Sequence, residues 1–332
     1  MPPILPHAGT VLSNVQLVTI TYEGYAARDQ VEAFGDMIIG SSWYRSVGME
    51  YGVYAGSHVQ KVRLASAPAS ITRDQIEAQI KQLITDQLVP KPAADGSQLL
   101  YMIYIPPTVV RGAGLQGIHG YHTSIRLDGV QSPIVVVLDE GGDLTATTSM
   151  AAHQLINAVT NPYSPPRDGY YADPPMSDPW SLAQGEIADL CGGETPVTDS
   201  GFTLPRVYSS LAVVAGRSPC KPFVDDSWSN VSAEPSRMQM VPKGGSVTFT
   251  LTGWSTRELP DWQLLTQVAD FSKLTEADMR PEFSDDMINN STSVTLTLHA
   301  PANVSSGVAG GIYVLSLMGP NVHPWAVGFI VQ

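Results

Sequence analysis

The sequence predicts an α+β protein of two domains, a mixed-sheet α/β domain followed by a small all-β, Ig-like sandwich. Three observations carry that expectation. The chain has 332 residues, too many for one ordinary core. Its first half alternates β-rich segments with helix-periodic ones, the pattern of strands and helices built around one sheet. From residue 236 onward it reads as short strands separated by Gly, Pro and Asn turns. The composition shifts around Ala233-Glu234-Pro235-Ser236, which sets the boundary near 232–242 and the domains at 1–235 and 236–332.

Residues 15–22 are rich in Val, Ile, Thr and Tyr and read as a strand. A helical stripe of Val31, Phe34, Met37 and Ile38 follows. Thr72 and Gln75 form a capping box that opens a second helix with Ile76, Ile80, Leu83 and Ile84 on one face, and Pro90 and Pro92 end that region. Residues 99–105 and 134–138 are apolar runs of buried-strand length, separated by Gly112-Ala113-Gly114 and a Gly-rich turn carrying His119 and His122. Residues 147–160 form a third helix, stopped at Asn161-Pro162. The order is β, α, α, β, β, α. Residues 161–235 are loop-rich, with Tyr163, Tyr170, Tyr171 and Trp180 among many prolines, and a loop region that long is usually functional or cross-linked. Beyond it, 246–251 and 293–298 alternate apolar and polar residues, 312–317 is mostly apolar, and no helix longer than 264–271 is suggested.

Composition narrows the function. Hydrophobic residues are 43% and charged residues only 15%, so the surface is rich in small polar groups, as in many exported proteins. Net charge is −13 with 18 Lys and Arg and no basic run, which argues against nucleic acid as a partner. No apolar stretch approaches the roughly 18 residues of a membrane span. Residues 1–6 have neither the basic start nor the apolar core of a signal peptide, so an exported protein would have lost its leader, and otherwise the chain stays inside. Cys191 and Cys220 lie in a Gly-, Pro- and Ser-rich region. They read either as a disulfide clipping a long loop or as two buried thiols.

One constellation could carry chemistry. On the third helix Ala152, Leu155, Ile156 and Val159 form the apolar stripe, while His153, Asn157 and Thr160 lie on a neighbouring polar stripe. A His with a second group at i+4 is how many zinc hydrolases place two ligands, although a lone His on a helix flank is more often a structural residue. Downstream, Glu186 and Asp189 sit in an apolar segment and fit either a third ligand with its supporting partner or a solvated surface turn. His119 and His122 fit a cleft lining or ordinary loop positions. Asn230, Asn290 and Asn303 begin N-glycosylation patterns.

The strings AAHQLINAVTNP and GEIADLC resemble the plant exordium, or phosphate-induced, proteins and their bacterial secreted relatives. So do AGTVLSNVQLVTITY, FGDMIIGSSWYRSVGMEYGV, Gly120-Tyr121-His122, YSSLAVVAGRSPC and SVTFTLTGWST, and the likeness runs over about 10–330. In that family the helix typically reads H-E-x-x-E and the later segment G-E-I-x-D-L-C. The resemblance implies a zincin-like, metallopeptidase-related first domain, a secreted location, and zinc as the cofactor to consider. It matches His153 to the family His, Glu186 and Asp189 to the later acids, and Cys191 and Cys220 to its paired cysteines.

Two positions depart. Gln154 stands where the family has Glu, and Asn157 stands where it has a second Glu. An amide cannot take a proton from metal-bound water, and losing such a base costs on the order of 10²–10⁴ in rate. A neutral amide oxygen is also a poor zinc ligand. Any metal would be held weakly, through His153, Glu186 or Asp189, with Asn157 and His122 as lesser ligands. The expectation is a degenerate metallopeptidase site in a protein that binds a protein or peptide, through the region of His153, His119 and the tyrosine-rich loop with Trp180. Two other readings compete: a structural, self-associating extracellular protein, and an active metallopeptidase using Glu186 or Asp189 as its base.

Overall fold

The computed structural model describes residues 3–93, 97–139, 141–163, 169–171, 185–192, 194–222, 228–256, 258–319 and 321–332. It is a mixed α/β protein in which strands predominate, arranged in several sheets. The chain divides into two compact units. One comprises Pro6–Tyr171 with Thr195–Val207, the other Met1–Leu5, Ala172–Glu194 and Tyr208–Gln332. No described helix is long and apolar enough to cross a membrane.

The first unit runs β1 (Gln16–Tyr22), α1 (Arg28–Ile38), α2 (Ser42–Gly48), β2 (Ser57–Leu64), β3 (Ser70–Ile71), α3 (Arg73–Thr85), β4 (Leu99–Ile105), β5 (Val110–Arg111), β6 (Gly120–Leu127), β7 (Val130–Leu138) and α4 (Leu144–Thr160). After the crossing into the other unit and back come β8 (Val197–Asp199) and β9 (Phe202–Leu204). A five-stranded sheet, in the order β2-β1-β4-β7-β6, is parallel except for the edge strand β6. Every residue of β4 is buried, as expected of a parallel strand covered on both faces. One face packs Val18, Ile20, Tyr22, Tyr101, Ile103, Ile134 and Val136 against Ile76, Ile80, Leu83 and Ile84 of α3. Each such aliphatic side chain contributes about 1.5–3 kcal/mol on burial. The Thr72–Gln75 capping box fixes where α3 starts, as the sequence predicts. Strand alternation turns Leu17, Thr19, Leu100, Met102, Val135 and Val137 to the other face, the side of α1 and α4.

The segment carrying His119 and His122 departs from expectation. It is read in the sequence as a Gly-rich turn, but Gly120–Leu127 is an edge strand paired antiparallel with β7. The turn lies instead at Asp128-Gly129, both with positive φ (51° and 83°), between the paired Leu127 and Val130. An Asp-Gly dipeptide suits a two-residue hairpin because both central residues adopt left-handed backbone. α4 also begins earlier than residue 147, because Asp143 accepts the Thr145 and Ala146 N–H groups and caps it.

In the second unit, β10 (Val207–Tyr208), where the chain passes between units, and β11 (Cys220–Lys221) form a short ladder on either side of α5 (Ser210–Val214). Then follow β12 (Ser229–Glu234), β13 (Gln239–Val241), β14 (Ser246–Ser255), β15 (Trp262–Val268), α6 (Glu276–Met279), β16 (Glu282–Phe283), β17 (Met287–Ile288), β18 (Ser293–His299), β19 (Ala309–Met318) and β20 (Asn321–Val331). They form a four-stranded sheet, β12-β14-β18-β16, and a five-stranded one, β13-β20-β19-β15-β17. Phe249, Leu251, Leu296 and Leu298 are buried from the first sheet, and Ile312, Val314, Trp325, Val327 and Phe329 from the second. Thr248 and Thr297 hydrogen-bond across the outer face at 3.0 Å.

Three further details differ from the sequence reading. β12, N-terminal to the expected boundary, pairs with β14 inside this unit. Residues 264–271 are not a helix: most of the stretch lies in β15, paired with β19 from Gln263↔Leu317 to Val268↔Ile312. Alternation of buried Trp262 and Leu264 with exposed Gln263 and Leu265 outweighs the helical preference of Leu and Gln. Asn230 is buried, with Nδ2 donating to the Pro324 carbonyl and Oδ1 accepting from Val231 N and Ser316 Oγ, so it cannot carry a glycan in the folded chain.

Candidate functional site

β7 leads through the Asp143 cap into α4, whose Ala151, Ala152, Leu155, Ile156 and Val159 are fully buried. The helix lies against β6 as well as β7. Gly120 permits this approach: a Cβ there would come within 2.9 Å of Met150 Cγ. Period-2 spacing on β6 and i, i+4 spacing on α4 then set two rows opposite each other, Gly120 and His122 against Met150 and Gln154. Gln154 Oε1 lies 3.3 Å from His122 Nδ1, and Gln154 Nε2 lies 3.6 Å from Met150 Sδ.

One stripe further round α4, Asn157 Nδ2 lies 3.3 Å from His153 Nε2. An amide N–H can only donate, so in this arrangement His153 Nε2 accepts. Asn157 is 1% exposed and Thr160 is fully buried, so the expected polar stripe lies mostly inside the protein, with His153 half-buried at its rim. Thr160 satisfies itself by donating to the Ile156 carbonyl at 2.7 Å.

The tyrosines of the loop region differ in setting. Tyr163 is buried. Tyr170 is half-buried, its ring edge-on to Tyr51 at 4.8 Å and its N–H bonded to the Thr160 carbonyl. Tyr171 is half-buried, His119 is exposed on the approach to β6, and Trp180 lies outside the described residues.

Glu186 and Asp189 belong to the other unit. Asp189 Oδ2 accepts the Glu186 N–H at 2.9 Å and the Asp189 N–H returns to the Glu186 carbonyl, so this acid closes a tight turn. Glu186 is 9% exposed. The turn runs into Cys191, which forms a disulfide with Cys220. The sequence alone does not reveal a second clamp on the same segment. Glu194 Oε1 lies 2.6 Å from His323 Nε2 on β20, His323 Nδ1 faces the Ser229 carbonyl at 2.7 Å, and the imidazole lies over Trp228. The partners are 129 positions apart and no local spacing announces them.

The groups neighbouring His153 on α4 are carboxamides, and among the described residues no three His, Cys, Asp or Glu side chains gather into a metal-holding group.

No protein-family model matches the chain, and no curated protein matches it in sequence. Solved structures match in part. Domains 4 and 5 of the S-layer protein SbsC align with 32% of this chain and 53% of their own at 16% identity and a TM-score of 0.23. A chimeric titin Z1Z2 carrying an exogenous KLER peptide from decorin aligns over 32% of this chain and 96% of its own, with 13% identity and a TM-score of 0.22. A family 123 glycoside hydrolase from Clostridium perfringens aligns over 28% of this chain and 22% of its own, with 11% identity and a TM-score of 0.23. The chain thus spans about half of the S-layer fragment it matches.

Proposed function

We propose that this chain is an exported, exordium-like protein whose first unit is zincin-like and carries a degenerate metallopeptidase site, and that it acts by binding a protein or peptide rather than by hydrolysis. The observation that carries the reading is the Asn157–His153 contact. The imidazole lone pair that a zinc ion would require accepts from an amide, and the neighbouring Gln154 supplies no base. The reading also draws on a helix that follows a mixed sheet and bears His153 with a partner at i+4. The Ig-like description of the second unit rests on its two alternating sheets. Export is supported by the disulfide, a bond that persists in oxidising compartments.

The test is a cleavage assay of the purified chain against a broad peptide library, with and without a chelator. The expected result is no appreciable hydrolysis in either arm. Robust cleavage that the chelator abolishes would replace this reading with that of an active metallopeptidase.

A further inference from the structure

We propose that the groove between α3 and residues 66–71 of the first unit binds a neutral, hydroxyl-rich ligand of the short oligosaccharide class. This inference is independent of the reading of α4, since no residue of that helix lines the groove.

The groove is open to solvent and offers about 600 Å³, within the range of about 300–1,000 Å³ usual for ligand sites. Gln75, Gln79 and Gln82 of α3 form one wall, and Ser66 and Ser70 stand opposite. The spacing i, i+4, i+7 puts the three amides on one helix face over about 10 Å. Glutamine is a flexible side chain, and an array of such groups is ordinarily too mobile to select a ligand. Here each amide is held at one end by the protein. Gln75 Oε1 accepts the Thr72 N–H at 2.8 Å in the capping box. Gln79 Oε1 accepts the Tyr22 hydroxyl at 2.6 Å. Burial pushes the Tyr22 hydroxyl up to about 12, against the smaller lowering effect of that bond, so it stays protonated and remains the donor. Gln82 Nε2 donates to Asp86 Oδ1 at 2.8 Å. The other ends remain to serve a ligand: two NH₂ donors from Gln75 and Gln79, and one carbonyl acceptor from Gln82.

Fixed donors and an acceptor beside two serine hydroxyls match a row of sugar hydroxyls, each of which both gives and takes a hydrogen bond. No charged side chain is among the described residues lining the groove, so an anion finds no cationic partner there. An extended peptide would need a longer strand edge than the two residues of β3, or pockets for alternate side chains, whereas the helix wall's exposed Ala78 offers only a methyl group.

The full chain is titrated with neutral tetrasaccharides of glucose, mannose and N-acetylglucosamine, and with oligogalacturonate and tetra-alanine as anionic and peptide probes. Calorimetry gives affinity, and NMR follows the side-chain NH₂ signals of Gln75 and Gln79. One neutral oligosaccharide should bind with a Kd on the order of 1 mM and shift those signals. Gln82→Leu should weaken binding by roughly 2–10-fold, the worth of one hydrogen bond. Ala78→Trp, at an exposed helix position, should fill the groove and abolish binding while leaving the urea midpoint near that of the parent chain. The proposal fails if no neutral sugar moves the Gln75 and Gln79 signals at millimolar concentration, if Ala78→Trp binds as well as the parent, or if oligogalacturonate or tetra-alanine occupies the groove instead.

Discussion

Asn157 Nδ2 lies 3.3 Å from Nε2 of His153, one turn away on α4. The same helix positions that would present two ligands to a metal instead present a donor and its acceptor. Gln154, the residue after His153, sets a second carboxamide against the imidazole of His122.

On the proposed reading of α4 as a degenerate zincin site, introducing acids at 154 and 157 should raise metal retention in steps. Gln154→Glu alone should leave zinc content low, because Asn157 still occupies the imidazole. Asn157→Asp keeps the side-chain volume in a site that is 1% exposed, whereas Asn157→Glu adds a methylene to close packing, at about 1–3 kcal/mol. Elemental analysis should show more zinc per chain in Gln154→Glu with Asn157→Asp, and in Gln154→Glu with Asn157→Glu, than in any single variant. Equal zinc in every variant would remove the metal-site ancestry.

The disulfide closes a loop of 29 positions. Cutting it by Cys191→Ala with Cys220→Ala should lower stability by about 3–4 kcal/mol, through the loop-closure entropy returned to the unfolded chain. Urea unfolding of the two proteins measures the difference. Intact mass without reductant should show no alkylatable thiol in the parent.

Glu32 makes part of the stability of the first unit pH-dependent. It is 4% exposed, and burial alone would raise its pKa. The Arg63 guanidinium and the Thr21 hydroxyl outweigh that and hold the carboxyl below the usual range, with Arg63 Nη2 2.6 Å from Oε2 and Nε 2.9 Å from Oε1. A depressed folded pKa stabilises fully above the unfolded value of about 4.3 and is lost as pH falls through the folded one. Glu32→Gln should thus have a lower urea midpoint than the parent at pH 7, and the gap should narrow steadily below about pH 4. A gap independent of pH would mean that the carboxylate charge contributes nothing.

Gly35 on α1 tests packing against helix propensity. Alanine there should gain about 0.5–1 kcal/mol of helix stability. Its Cβ, however, would lie 2.7 Å from His58 Cε1 and 2.9 Å from Thr19 Oγ1, both in the packed space between α1 and the sheet. Overpacking of that kind costs about 1–3 kcal/mol, so Gly35→Ala should be destabilised overall. Gly40→Ala, whose Cβ would come no closer than 4.0 Å to the Met37 carbonyl, should be neutral or slightly stabilised in the same denaturation series.

Features written in local order were legible in the sequence. The capping box at Thr72 and the stripe Ile76, Ile80, Leu83 and Ile84 give α3, and the apolar runs give β4 and β7, because hydrophobic period and cap chemistry act over a few residues. The i+4 relation of His153 to Asn157 follows from helix geometry in the same way. The Asp128-Gly129 turn was equally available as a signal for the β6–β7 hairpin, although the glycines nearer the histidines suggest a turn further upstream. What only the tertiary structure decided is what depends on partners far along the chain. Whether 264–271 is helix or strand turns on pairing with β19. The exposure of Asn157 turns on what packs over α4, and the Glu194–His323 clamp joins residues that no local period relates. Backbone period and caps are set by neighbours in sequence, whereas burial and long-range hydrogen bonds are set by neighbours in space, and for this chain the contact of Asn157 with His153 is of the first kind and the burial of Asn157 of the second.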